Sequence, residues 1–546
     1  MKTYTEEKRI RPDILTASVY LAIALMMVFA LSCHRIYGDK GAFFSAGPLY
    51  IYLLFYCGLV LAAQKAVYIM VRLRARRSQF MNADANMHRS IRIFGIIGIL
   101  SGIILTLLSY KMAQTLLGAE RGFFQIIFAA VAIIFLGGQG VLRGYLQGIG
   151  YTRPIVMSDL LIATVSCISG VIAVEILYKY GLKVNNIFHI DEFSAVYGSA
   201  GLMAGILLGS IVGCVQIIVS YNLRKNEIAD FSKRGAPRYL DNKNDVLTSI
   251  RPILLLYCTP PLMIFVDQCV FVIFTRKLHE DVDYASDFGA FAGRTVCSII
   301  LISILSCIPF IKKWNGVMAR IERDELEGAR QRFKVLMRYS NMLLFPVSVF
   351  VFALPETVMM TLSGSAGKTA SSLMMLGGLS VLLCGFAILF SWLLNHMGKS
   401  IIIVINVAIG WGVHVAMLLV LFILLNLGII GIMLSCMIAF LVFDLLSFFM
   451  ISKMLKYRQD HIKCVLLPAV SSIIAGLIVF LLNKALVDII GEVLSLLICI
   501  VVFYACYLLS MIVSRGVLLH ELRRLPLGFL FEGIGSLLQH DRYYEG

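Results

Sequence analysis
About fourteen apolar runs, each of roughly twenty residues or more, constrain this chain more than any motif in it. They lie near 15–36, 47–71, 91–113, 122–145, 155–178, 199–221, 248–275, 288–311, 339–362, 371–394, 400–424, 429–452, 463–484 and 490–513. A bilayer's hydrocarbon core is about 30 Å thick, so roughly 20 helical residues cross it. Inside lipid every backbone N–H and C=O needs a partner in its own segment, and an apolar run of this length supplies one by folding as an α-helix. The chain therefore reads as an all-α polytopic membrane protein of about 14 transmembrane helices. Composition agrees: 59% of the 546 residues are hydrophobic and 15% charged, against about 45–50% and 25% in a soluble domain.

The formal charge of +16 is not the footprint of a nucleic-acid binder, because the cations sit in alternate loops. With the N-terminus in the cytoplasm, internal segments hold about 36 of the 48 Lys and Arg and external ones about 10. That is the bias expected of cytoplasmic loops. The remaining two, Lys65 and Arg294, lie inside spans. Both termini are then cytoplasmic. The polar start, Met1 to Asp13, leads into a span too long for a signal peptide and lacks a small-residue cleavage site. The basic run Arg72-Leu-Arg74-Ala-Arg76-Arg77 and the stretch 312–338 read as orientation signals, with anionic lipid headgroups as secondary partners. Thirteen Cys are scattered singly, nearly all in apolar stretches, with no metal or disulfide spacing.

Spans one to six and seven to twelve read as copies. Arg11-Pro12 opens the first span and Arg251-Pro252 the seventh; Gly41-Ala42-Phe43 matches Gly289-Ala290-Phe291. Gln147-Gly148-Ile149-Gly150 matches Asn395-His396-Met397-Gly398 at the same offset, and Gly198-x-x-Gly201 is echoed by Gly428-x-x-Gly431. Six spans separate the copies, so both start on one side of the membrane and the repeat is parallel, a pseudo-twofold about the membrane normal. The expected organisation is an N-lobe at 1–221, a cytoplasmic linker at 222–247, a C-lobe at 248–454, two extra spans within 455–514, and an amphipathic cytoplasmic tail at 515–546. Parallel repeats of this kind place the substrate path between the lobes and work by alternating access.

The residues that carry chemistry centre on the seventh span. It opens Arg251-Pro252, places Pro260-Pro261 at mid-span as a hinge, and then sets Asp267 at a depth where charge is expensive. Arg294, on the eighth span, lies at similar depth, about five residues or roughly 7 Å to the external side of its midpoint. Antiparallel neighbours would bring the two together, either as a buried pair that fixes packing or as cavity groups that hold an anionic head. Lys65 stands about five residues to the cytoplasmic side of the second span's midpoint, placed for snorkelling or for a phosphate contact. Arg143, Gly144, Gln147 and Gly148 form a candidate gate or loop after the fourth span. Asp444, Glu175 and His414 are candidates for ion coupling, each with a plain packing role as the alternative. There is no nucleotide-binding Gly-Lys-Ser/Thr loop, nucleophile elbow or metal cluster. No catalytic residue and no cofactor is expected, and the chain does not read as an enzyme.

Arg143-Gly144-Tyr145-Leu146-Gln147-Gly148 followed by Pro154, Pro261 with Val266-Asp267, Phe288-Gly289 with Arg294, and Gly428-Ile-Ile-Gly431 together resemble the multidrug/oligosaccharidyl-lipid/polysaccharide (MOP) exporter superfamily. The branch they are most similar to is the polysaccharide-export and stage V sporulation protein B group, related to MurJ-type lipid II flippases. Fourteen spans also fit that branch. The resemblance departs at one point: MurJ-type proteins carry several cavity-facing arginines on spans one and two, where this chain has only Arg35 at the outer end and Lys65.

The resemblance implies a flippase of the bacterial cytoplasmic membrane. Its substrate would be a lipid-linked glycan pyrophosphate, a saccharide or peptidoglycan precursor, moved from the inner to the outer leaflet by a monomer. The driving force is left open among membrane potential, a coupling ion (Na+ or H+) and the substrate gradient. The alternative within the same superfamily is a cation-coupled exporter of small amphiphilic drugs.

Overall fold
The structure is a computed structural model that describes residues 12–233, 245–278, 283–397 and 399–517. Much of the expected linker, the Gly398 of the repeat, Arg11 and nearly all of the expected amphipathic tail lie outside the described residues. Within them the chain is helical throughout and contains thirteen segments long and apolar enough to cross a membrane. The first of these, Ile14–Arg76, has 63 residues. A straight helix of that length would reach roughly 95 Å, three times the hydrocarbon core. Gly38 divides it, with φ 68° and ψ −169°, a backbone conformation outside the helical region that glycine reaches without a Cβ clash. The first segment thus holds the first two spans, and the ordinal numbering of fourteen spans is kept below. The chain is a multi-pass membrane protein.

Several helices run beyond the apolar stretches that announce them. The third span is Phe80–Thr115 and the fifth Arg153–Phe188, so most of the expected external loop 179–198 is helical. Hydropathy marks where lipid ends, whereas a helix continues for as long as its polar residues pair along it. Glu175 and Lys179, 2.6 Å apart at i and i+4, are one such pair. The eighth span, Tyr284–Ile321, carries a π-helical stretch at Ala290–Thr295. The seventh helix, Asp245–Leu278, runs unbroken through Pro260 and Pro261. Those prolines leave the carbonyls one turn back without N–H donors, and the Thr259 hydroxyl donates to the Leu255 carbonyl at 2.5 Å beside them.

The described residues fall into two compact units: 1–297 with 398–439, and 298–397 with 440–546. In the first unit, glycines set the closest helix contacts. Gly201, Gly205, Gly209 and Gly213 repeat every fourth residue down one face of the sixth span. A Cβ at Gly205 would stand 2.3 Å from the Gly170 Cα of the fifth span, and one at Gly209 would stand 2.0 Å from the Ser166 Oγ. Lipid is as apolar as a leucine side chain, so close backbone approach replaces hydrophobic burial as the association force.

The fourth span, Glu120–Ile149, uses Gly140, Gly144 and Gly148 in the same way. Their missing Cβ atoms would meet the Leu59 carbonyl, the Gln64 carbonyl and the Val71 side chain at 2.3 to 2.5 Å. One expectation is corrected here. Arg143 to Gly148 all lie in the helix Gln139–Ile149, so Gln147 and Gly148 are helical and not in a loop after the span. The three glycines share one face of that helix and fit against the second span.

The second unit is tied by polar contacts between helices. Tyr507 of the fourteenth span donates to the Met342 carbonyl at 3.0 Å, and Asn483 of the thirteenth bonds both Thr357 and Ser495, at 2.9 and 2.7 Å. In the first unit, large apolar side chains of the third span face outward. Ile96, Ile99, Leu100, Ile103, Ile104 and Leu107 line one exposed face of the third span, the stripe that meets acyl chains.

Candidate functional site
Two charged clusters lie in the first unit, one partly and one fully buried, and each draws together residues far apart in sequence. The first forms where the Gly38 break turns Asp39 inward. Its carboxylate accepts from Arg294 twice, from Nε at 2.7 Å and from Nη2, and from His34 Nε2 at 2.8 Å. Arg294 is 3% exposed. A guanidinium fork matched to a carboxylate makes a strong, oriented pair. The backbone is seated against it: a Cβ at Gly289 would lie 1.8 Å from the Asp39 carbonyl oxygen, and one at Gly293 would lie 2.4 Å from the Ala42 Cβ. Phe43 packs edge-on to Phe288, ring centroids 6.4 Å apart. Residues in and beside the two segments matched in the repeat, Gly41–Phe43 and Gly289–Phe291, thus meet in this contact. Lys40 and Asp283, 3.5 Å apart, add an exposed pair on the same turn.

The second cluster joins three spans. Asp267 of the seventh, with no exposed surface, accepts from His414 Nε2 of the eleventh at 2.8 Å and from the Cys436 thiol of the twelfth at 3.7 Å. The three donor atoms lie within 4.8 Å of one another. A carboxylate, an imidazole and a thiol so placed can pass a proton or ligate a cation. The expected Asp267–Arg294 pair is therefore corrected: each takes another partner, because depth along a helix does not settle which face of it points where. Sequence marked His414 as a candidate for ion coupling but gave no sign of its partner, and Asp39 and Cys436 gave no signal.

The other candidates are dispersed. Lys65 makes no ion pair among the described residues, and its Nζ lies 5.9 Å from the Tyr68 ring centroid. Arg143 is buried and bonds Asp159 of the fifth span. Gln147 accepts from Gln64 at 2.9 Å. Glu175 sits exposed in its pair with Lys179. Asp444 is buried in the twelfth span, in the second unit.

No family model matches the chain, and no curated protein matches it by sequence. Solved structures do match. The lipid II flippase MurJ, in an inward closed conformation, superposes with a TM-score of 0.62 at 13% identity, covering 91% of this chain and 97% of that one. A multidrug resistance MATE family transporter of the MOP superfamily, inward-facing, gives 0.56 at 14%, covering 81% and 95%. A MOP superfamily transporter from Pyrococcus furiosus gives 0.50 at 16%, covering 82% and 98%. With structural neighbours that are flippases and transporters, the chain has the fold of the MOP superfamily.

Proposed function
We propose that this protein is a flippase for an anionic, lipid-linked saccharide or peptidoglycan precursor, moved from the cytoplasmic to the outer leaflet of a bacterial cell membrane by alternating access. The observation that carries this reading is Arg294, a buried guanidinium whose fork is filled by a carboxylate. A buried arginine without an anion is costly. Asp39 supplies that anion in the present conformation, and a phosphate presents the same two-oxygen edge. Entry of the head group would displace Asp39 from Arg294 and so release the turn after the first span from the eighth. Lys65, which has no ion-pair partner among the described residues, lies deeper on the cytoplasmic side and would meet the phosphates at an earlier stage of the passage. Pro260 and Pro261 would let the seventh span flex as the lobes, residues 1–221 and 248–454, exchange access. Both termini stay cytoplasmic, as the loop charges require.

The test is translocation of an isoprenoid-diphosphate saccharide by the full chain in vesicles. Arg294→Lys keeps the charge but loses the fork, and should slow translocation at least about tenfold, the equivalent of one lost interaction of about 1.4 kcal/mol. Asp39→Asn should tighten binding of the diphosphate lipid, because its competitor is weakened. Wild-type rates in Arg294→Lys together with unchanged binding in Asp39→Asn would sink the proposal.

A second reading, a cation-coupled exporter of amphiphilic drugs, is favoured by the Asp267–His414–Cys436 cluster. It requires efflux of a cationic dye from expressing cells that Asp267→Asn abolishes and Arg294→Lys leaves intact. The flippase reading expects no dye efflux.

A further inference from the structure
Asp444 belongs to neither cluster. It lies within the second unit, about 4 Å from the midpoint of the 28-residue helix Gly428–Leu455. It is 6% exposed, and neither carboxylate oxygen has a hydrogen-bond partner among the described residues. Its own helix surrounds it with Leu441, Val442, Phe443, Leu445 and Leu446. From the tenth span, the titratable group that faces it is the Cys384 thiol, which in turn meets the Ser303 hydroxyl of the eighth. No Lys, Arg, His or second carboxylate of the described residues acts on it.

Ionised, the carboxyl group is a buried charge near the middle of the bilayer with no donor among the described residues on either oxygen. Protonated, it is neutral and escapes that penalty. A sodium ion would need several oxygen ligands, whereas a proton needs one. Burial without a donor therefore favours the protonated form here, and a conformation that brings water or a cation to the group would favour release.

We propose that Asp444 is a proton-binding site that loads and releases during the transport cycle, separate from the Asp267 cluster. The coupling part of this inference rests on the transporter reading; the occupancy part does not. Infrared difference spectra of the full-length protein in lipid nanodiscs read the occupancy directly. Wild type should show a protonated-carboxyl C=O band that shifts in D2O and fades as pH rises. Asp444→Asn, which keeps the side-chain shape, should lose that band, Asp267→Asn should retain it, and Asp444→Glu should keep it at a shifted position. No band at position 444, or one that neither exchanges nor titrates, overturns the site. In vesicles loaded with the isoprenoid-diphosphate probe, an imposed pH gradient should accelerate translocation by wild type, and Asp444→Asn should lose that acceleration about tenfold. An undiminished gradient response in Asp444→Asn overturns the coupling. If wild type moves no probe at all, the flippase reading fails and the infrared result alone decides the proton site.

Discussion

Asp39 and Arg294 show how single residues in lipid find partners. Asp39 stands in what reads as a short, wetted external loop, and a carboxylate there predicts nothing. The Gly38 backbone turns it inward, and 255 residues of separation close into a bidentate contact. Asp267 and His414 close over 147 residues in the same way. The energetic stake is in the mismatch: removing one member of a buried pair leaves the other uncompensated, at about 3–5 kcal/mol. Arg294→Gln and Asp39→Asn should therefore each lower the thermal midpoint of the purified protein. The double variant should recover part of the loss, with a coupling energy in the range of about 0.5–3 kcal/mol. Strictly additive losses would show that the pair contributes nothing beyond its two members.

At the scale of helices, glycine spacing decides how close two spans come. The four-residue ladder from Gly201 to Gly213 was present in the sequence, yet hydropathy treats glycine as nearly neutral and so passes over it. Its meaning depends on the complementary small residues Ser166 and Gly170 on the fifth span. Gly205→Val forces backbone apart where there is no flexible side chain to yield. It should cost about 1–3 kcal/mol, the usual range for overpacking, read as a lowered midpoint or lost monodisperse peak in detergent. Gly412→Val, at a position with open space around the added Cβ, should be close to neutral and serves as the control. The same reasoning corrects the fourth span. The apolar run ends near residue 145, whereas the helix continues to Ile149 because Gly140, Gly144 and Gly148 form its flat face pressed on the second span.

For the whole molecule, the placement of the cations predicts the orientation. Moving an arginine through the hydrocarbon costs several kcal/mol, so loops rich in Lys and Arg stay inside. Arg77→Cys, in the exposed turn after the second span, should resist a membrane-impermeant thiol reagent in intact cells. Ala366→Cys, in the exposed turn between the ninth and tenth spans, should react. Reversed labelling would invert the topology and with it the direction of transport.

The existence and approximate place of the spans were legible along the chain because each depends on a local sum: twenty residues either avoid water or do not. The pairing of Arg294 with Asp39, of Asp267 with His414 and Cys436, and the lack of a hydrogen-bond partner for Asp444 among the described residues were decided only by tertiary packing. A helix rotates a side chain 100° per residue, so depth is written in the sequence while facing direction is set by whichever neighbour packs against it.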